Sequence, residues 1–436
     1  MWRRVVVIAV VLVLAACALP VAGLTAYLAT RSDTPASTAQ PSGSARASAT
    51  PRAARPPAKR PKAGDSQTVF QAWMRERVEV ALDKQTQALL SGDATSYVKP
   101  VDPAKTTLTA QLRKQFGSLR AMRVGAWGND VLAMSIIDGK EFTAKWRVRV
   151  DGHPCFGAPS CEDDDFATTM TWRLADPDTP LLVSMEPDES ANAPRPWQVS
   201  DLIAKAGTRT VVATTKAYAS ILDRVSEQAE EAAKVADRFS YQGKPPTRYV
   251  IFYAGPAEWK SWYGWDPPEW SAGVSIEVGD TSNIVLNGKD LQGWYLDNLL
   301  RHEMTHASSL PGGSYSRAWW LIEGIAEYAE MDGGSVSRYG SIEETKAFVE
   351  GGSWNGHVTV SAPRDSDGDE SVAAAYGVAF LAVRHLAEQY GEAKMIAFFD
   401  AVVHDGKTEN TAAAQVFGED WTTVEQGCVE YIRSAV

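Results

Sequence analysis

His302, Glu303 and His306 lie within "LLRHEMTHASS", residues 299–309. Two histidines four residues apart share one face of an α-helix, where both rings can reach a single metal ion. Glu303, one step round the same helix, reaches a water on the metal rather than the metal itself. The chemistry these residue types support is metal-assisted hydrolysis, with the ion polarising the bond and the carboxylate moving the proton. An extended strand would separate the two rings, so the reading requires a helix. The surrounding "WYLDNLLRHEMTHASSL" supplies one. Leu296, Leu299, Leu300 and Met304 or Ala307 fall at apolar helical positions, and Asp297, Asn298 and Arg301 at polar ones.

A closed set of protein ligands needs a third member. "AWWLIEGIAEYAEMDGG", residues 318–334, offers Glu323 and Glu327, again four apart on one helical face. One carboxylate can complete a His₂Glu set and leave a fourth position for water. The other can accept a hydrogen bond from a ligand histidine and fix its tautomer. Trp319, Trp320, Leu321, Ile322 and Ile325 make this helix too apolar to be a freely solvated acidic surface.

"HEMTH" followed by "WWLIEGIAEYAE" is similar to the gluzincin metallopeptidases, the peptidase MA-like domains related to the aminopeptidase and thermolysin branches. The resemblance implies one zinc ion held by His302, His306 and Glu323, with Glu303 as general base acting on a zinc-bound water. It also implies that Glu327 supports a ligand histidine. The 16-residue gap between His306 and Glu323 is slightly shorter than the aminopeptidase branch uses. Downstream, "AAAYGVAFLAVRHLAEQYGEAKMIAFFDAV", residues 373–402, resembles the family's tyrosine-bearing helix, and Tyr376 is the candidate donor to the oxyanion. A core tyrosine packed beside the active helix is the competing reading. His357, His385 and His404 have no partners at metal-ligand spacing. The chain lacks the Gly-rich aminopeptidase motif that binds a substrate amine, which favours endopeptidase action on a peptide or protein substrate. The alternative function is a catalytically inactive, peptidase-like cell-surface binding or scaffold protein. The complete set of ligands and base speaks against it.

The elements that position this site belong to the second of two folded units. The 436 residues are too many for one small domain. "MWRR" precedes 26 residues without a charge, long enough to span a bilayer with the body outside. Within that run "LAAC", residues 14–17, resembles a bacterial lipobox, which would make Cys17 the lipidated first residue of the mature protein. Residues 1–31 therefore read as an uncleaved membrane anchor or a lipoprotein signal. Both tether the protein to the bacterial cytoplasmic membrane with its folded body on the extracytoplasmic side. Residues 32–66 are Pro-, Ala-, Ser-rich and basic and read as a disordered linker. Beyond residue 66 the chain carries 34 basic against 52 acidic residues, a net −18, which argues against nucleic acid as a partner.

The fold class is α+β. Residues 67–210 read as an accessory domain, with helices at "VFQAWMRERVEVALDKQTQALLSGD" and "TTLTAQLRKQFGSLRAM". Four strands follow, "VGAWGNDVLAMSII", "EFTAKWRVRV", "ATTMTWRLAD" and "PLLVSME", separated by Asp-Gly and Pro-Asp turns. Helices on a curved antiparallel sheet resemble the NTF2-like layout. Cys155 and Cys161 bracket "CFGAPSC" and suit a disulfide in an oxidising compartment. His153 and the adjacent acidic run 162–165 read as a surface loop. Residues 211–436 read as the peptidase MA-like domain, with a small sheet and a mostly helical C-terminal part. In it a long helix is expected near 216–240, a buried strand at "TRYVIFYAG", and two strands at "AGVSIEV" and "SNIVLNG". Cys428 is left over as a buried thiol in the last helix.

Overall fold

The structure is a computed structural model describing residues 58–436 except 162–165, 176–177, 189–194, 265–271, 280, 289–290, 292–294, 312–317 and 365–366. The expected anchor 1–31, Cys17, most of the linker, the acidic run 162–165 and the middle of the loop after His306 lie outside the described residues. Among the described residues, no helix is long and apolar enough to cross a membrane. The end of the linker departs from its expected disorder. Arg60 pairs with Asp178 at 2.8 Å and lies over the Phe142 ring, which fastens 58–66 to the folded body.

The first layer is formed by α1 (Gln67–Ser91), the short α2 (Ala94–Val98) and α3 (Thr106–Ala121). Gly92, with φ +80°, ends α1 in the left-handed conformation that glycine tolerates. Strands β1 (Val124–Asp138), β2 (Lys145–Phe156), β3 (Phe166–Ala175) and β4 (Thr179–Pro187) form an antiparallel meander in the order β1-β2-β3-β4.

Two local expectations are corrected here. Glu141–Thr143 is a 3₁₀ turn, so β2 begins only at Lys145 and runs on through Asp151-Gly152, which is strand and not turn. Gly152 is needed there because a β-carbon would sit 2.5 Å from the Phe166 ring. His153 is accordingly a strand residue, with Nε2 3.4 Å from Asp130 Oδ2 on β1, and not part of a loop. Cys155 and Cys161 are joined as the expected disulfide.

The short α4 (Pro196–Val199) leads to a five-stranded mixed sheet. Its strands are β5 (Leu202–Ala206), β6 (Thr210–Thr215), β7 (Tyr249–Ala254), β8 (Gly273–Val278) and β9 (Thr281–Asn287), in the order β5-β6-β7-β9-β8. β6, β7 and β9 run parallel, with β5 and β8 antiparallel at the two edges. β5 precedes residue 210 yet pairs with β6. A turn at 216–221 carries non-helical Tyr218, so α5 starts late and spans Leu222–Ala236. α6 (Pro256–Tyr263) follows β7.

Strand alternation puts this sheet between two cores. Val211, Ala213, Val250, Phe252 and Val285 join the core of the first layer through Trp197, Trp259 and Trp262. Val212, Ile251, Ile284 and Leu286 face α5 and α7 (Leu296–Ser309). The two sheets therefore share one continuous apolar interior. A third core gathers α8 (Trp319–Met331), α9 (Ile342–Glu350), α10 (Asp369–Tyr390), α11 (Glu392–Phe399), α12 (Glu409–Val416) and α13 (Trp421–Ala435). Cys428 is buried in α13, where the loss of solvent pushes its thiol up to about 12.

Candidate metal centre

Leu296, Leu299, Leu300, Met304 and Ala307 pack α7 against the mixed sheet. Burying each of the larger side chains is worth about 1.5–3 kcal/mol, which fixes the rotation of the helix about its axis. The opposite face, bearing His302 and His306, turns toward α8. There Leu321, Ile322 and Ile325 are buried among the C-terminal helices and direct Glu323 and Glu327 back toward α7. Gly324 allows the close approach. A β-carbon at that position would sit 2.5 Å from Val383 Cγ2 and 2.6 Å from the Ala379 carbonyl of α10.

His302 Nε2 and His306 Nε2 are 3.1 Å apart, and Glu323 Oε2 lies 3.5 Å and 3.4 Å from them respectively. Ligand atoms held at roughly 2.0–2.1 Å around one tetrahedral ion are separated by just such distances. The other ring nitrogen of His302, Nδ1, lies 3.2 Å from Glu327 Oε1 and 3.6 Å from Glu330 Oε2. All of these residues are buried, as is Glu303.

Four buried carboxylates around two imidazoles leave a surplus of negative charge, and an apolar interior does not tolerate uncompensated charge. Its mark is visible on several of these groups. Burial disfavours the His302 imidazolium, but Glu323, Glu327 and Glu330 outweigh it and raise that pKa well above the usual value. Burial would raise Glu323, yet His306 and His302 hold it below the ordinary carboxylate range. Glu327 is pushed up to about 6 by burial and by the neighbouring Glu330. A divalent cation bound by two neutral imidazoles and a carboxylate answers the same surplus. Glu323 Oε2, buried without a hydrogen-bond partner, is the oxygen it would use. The residues present fit zinc.

Glu303 sits beside this set and not within it. Among the described residues both of its carboxylate oxygens are buried without a hydrogen-bond partner, and burial raises its pKa. Its side chain packs on Gly273 of the edge strand β8, where a β-carbon would lie 3.0 Å from Glu303 Oε1. Ser275 of the same strand donates to the Glu303 backbone carbonyl at 3.3 Å. Tyr376 on α10 meets Trp319 edge to face at 5.0 Å. Its hydroxyl is buried without a partner, and its pKa is driven up by burial and by the charges of Glu323, Glu327 and Glu303.

The fold thus brings together His302, Glu303, His306, Glu323, Glu327 and Tyr376. It leaves His357, His385 and His404 elsewhere: His357 faces Glu425 and His404 meets the Ser309 carbonyl. Glu330 is the residue the sequence reading missed. It lies seven residues after Glu323, on the same helical face, and its signal was a third acid in an otherwise apolar helix.

No family model matches the sequence, and no curated protein matches it. Among solved structures the chain is similar to a two-domain M1 zinc metallopeptidase bound to L-arginine, at 10% identity and a TM-score of 0.34, covering 71% of this chain and 61% of that one. It is similar to native yeast LTA4 hydrolase at 14% identity and a TM-score of 0.35, covering 64% and 49%. A third is an M1 zinc metallopeptidase from Deinococcus radiodurans, at 11% identity and a TM-score of 0.34, covering 73% and 97%. The chain thus spans less than two thirds of the length of the first two.

Proposed function

We propose that the chain is a zinc-dependent peptidase, tethered to the membrane by residues 1–31 and working on the extracytoplasmic side. The observation that carries this reading is the convergence of His302 Nε2, His306 Nε2 and Glu323 Oε2 within 3.5 Å, next to a buried carboxylate with no other partner. Bound there, zinc would supply Lewis-acid polarisation of a carbonyl and a lowered pKa for water.

The chain's own residues do the rest. Glu303 accepts a proton from the attacking water at a buried carboxylate oxygen, and returns it to the leaving amine. Burial raises its pKa, which strengthens it as a base. Tyr376 holds a hydroxyl free to donate to the developing oxyanion. Glu327 and Glu330 hold His302 from its far side. β8 is the edge of the mixed sheet and its Gly273 touches Glu303, so an extended peptide added to that edge would bring its carbonyls to the base. Cleavage within a peptide fits this arrangement.

The test pairs metal content with a peptide-library digest of wild type and Glu303→Gln. Wild type should hold about one zinc, removable by a chelator, and cleave. Glu303→Gln should keep the zinc and lose cleavage, and His306→Ala should lose both. A wild type that binds zinc but cleaves no peptide would favour the binding-protein alternative, and one that binds no zinc would end the metal-centre reading.

A further inference from the structure

Beyond residue 66 the chain is strongly acidic, yet one helix of the first layer contains no acid at all. α3 bears Arg113, Lys114 and Arg120, and Lys105 and Arg123 flank its two ends. Lys99 stands just before it, at the end of α2. All six side chains are exposed. Among the described residues none of the six pairs with a carboxylate, because the acids close by are taken up elsewhere. Asp93 caps α2 through the Thr95 and Ser96 amides, and Asp102 is buried against Arg173 at 2.8 Å. Asp201, next to the Leu202 amide that donates to Ser118 of α3, faces Lys216 at 3.6 Å. Arg120 bonds to the Leu89 and Leu90 carbonyls, which carry no charge.

Helix geometry gathers these cations. Leu108, Leu112 and Leu119 turn one side of α3 into the core. At about 100° per residue, Arg113, Gly117 and Arg120 then share one outward arc, with Lys114 at its border. Gly117 keeps the arc open, since a β-carbon there would meet nothing within 4 Å. From Lys105 to Arg120 the row is about 22 Å long. Like charges in such a row repel one another, and anions from outside the chain relieve that repulsion.

Residues 1–57 lie outside the described body, which begins at Ala58, where the backbone donates to Glu76 of α1. The 26 residues from 32 to 57 can span at most about 90 Å, long enough for any face of the body to reach lipid. An anionic surface repels the acidic remainder of the body, so charge selects the acid-free face.

We propose that α3 is the face the body turns to the membrane, with Lys105, Arg113, Lys114 and Arg120 set against the phosphate groups of anionic phospholipids. This rests on the membrane tether of the proposed function and not on its peptidase chemistry. The core containing α3 and the core containing α7 lie on opposite faces of the mixed sheet. Docking through α3 therefore holds the metal centre on the side away from the lipid.

The experiment places the full chain in nanodiscs of phosphatidylcholine alone or with about one third phosphatidylglycerol. Gly117→Cys, in a Cys17→Ala background, carries a dye that nitroxide-labelled lipid quenches on contact. Cys155 and Cys161 are bonded and Cys428 is buried, so the dye marks α3. Quenching should be about fivefold or more stronger in the anionic discs, and fall to the phosphatidylcholine level in roughly 1 M salt. Arg113→Glu with Lys114→Glu should abolish the difference. Lys260→Glu with Lys394→Glu, the same change of net charge elsewhere, should preserve it. Equal quenching in both discs, indifference to salt or to the α3 pair, or an equal effect of the second pair overturns the proposal. A dye that responds to soluble polyphosphate and not to anionic discs overturns it too, and assigns the row to a free polyanion. Retention on the discs reads the tether separately. A chain held by both discs without quenching keeps the tether and loses this proposal, and one held and quenched only by anionic discs does the reverse. A chain held by neither overturns both. Should the α3 pair fail to fold by circular dichroism, the lipid and salt comparisons decide the matter alone.

Discussion

His302 Nδ1 lies 3.2 Å from Glu327 Oε1, on the side of the ring away from His306 and Glu323. A carboxylate at that distance favours the proton on Nδ1, which leaves Nε2 on the side of His306 and Glu323. Glu327→Gln keeps the shape but weakens the hold on the ring. Zinc affinity should fall about 10- to 100-fold, read by competition with a chromogenic chelator. An unchanged affinity would mean that Glu330, 3.6 Å from the same nitrogen, orients the ring by itself.

Tyr376 offers a sharp choice between catalysis and packing. Its hydroxyl has no hydrogen-bond partner among the described residues, so Tyr376→Phe should remove little that stabilises the fold. The melting temperature and zinc content should hold steady. If the hydroxyl serves the oxyanion, kcat should drop about 10²- to 10³-fold with little change in KM. Full activity in the phenylalanine variant would assign Tyr376 to packing against Trp319.

Gly324 sits where α8 crosses α10. A β-carbon there would meet Val383 and the Ala379 carbonyl at distances no relaxed structure adopts. Gly324→Ala should therefore destabilise the protein by about 1–3 kcal/mol despite alanine's better helix propensity. Because α10 also carries Tyr376, the same change should lower activity beyond what the loss of stability explains. Thermal denaturation beside kinetics at low temperature separates the two effects.

Asp400 gives a pH signature away from the metal centre. Partial burial and the nearby Asp405 raise its pKa from an ordinary 3.8 to about 6. A carboxyl whose pKa is raised by folding stabilises the fold while protonated. That contribution is complete below the unfolded value near 4 and is lost as pH rises through about 6. Asp400→Asn should leave the stability unchanged at pH 4 and raise it at pH 8 by about 1–2 kcal/mol after discounting for its solvent contact, read as a higher melting temperature at pH 8 only. Equal melts at both pH values would show that water screens the charge completely.

The parts of this fold written in local patterns were readable in advance. Helix α1 and its glycine stop, α3, the hairpin β8–β9 and the faces of α7 and α8 follow from spacing alone, because periodicity reports which side of an element is buried. β5 and β6 were not readable. β6 is a parallel strand covered on both faces, and a short apolar run of that kind carries no alternation to mark it. The helix after it was expected to start too early, because the turn at 216–221 has the composition of a helix and departs from one only at the backbone of Tyr218. Asp151-Gly152 looked like a turn until Phe166 of the neighbouring strand accounted for the glycine.

Sequence by itself determined which residues make up the candidate metal set, since two histidines and two glutamates at helical spacing must share faces on any helix. It also determined the disulfide pair, through six-residue separation in a chain with few cysteines. Only the tertiary structure decided that the two faces meet, because that depends on the apolar contacts that fix the rotation of α7 and on the gap at Gly324 that admits α10. It alone added Glu330 behind His302 and set Gly273 against Glu303. Those relationships join residues far apart in the chain, and nothing in local spacing records them.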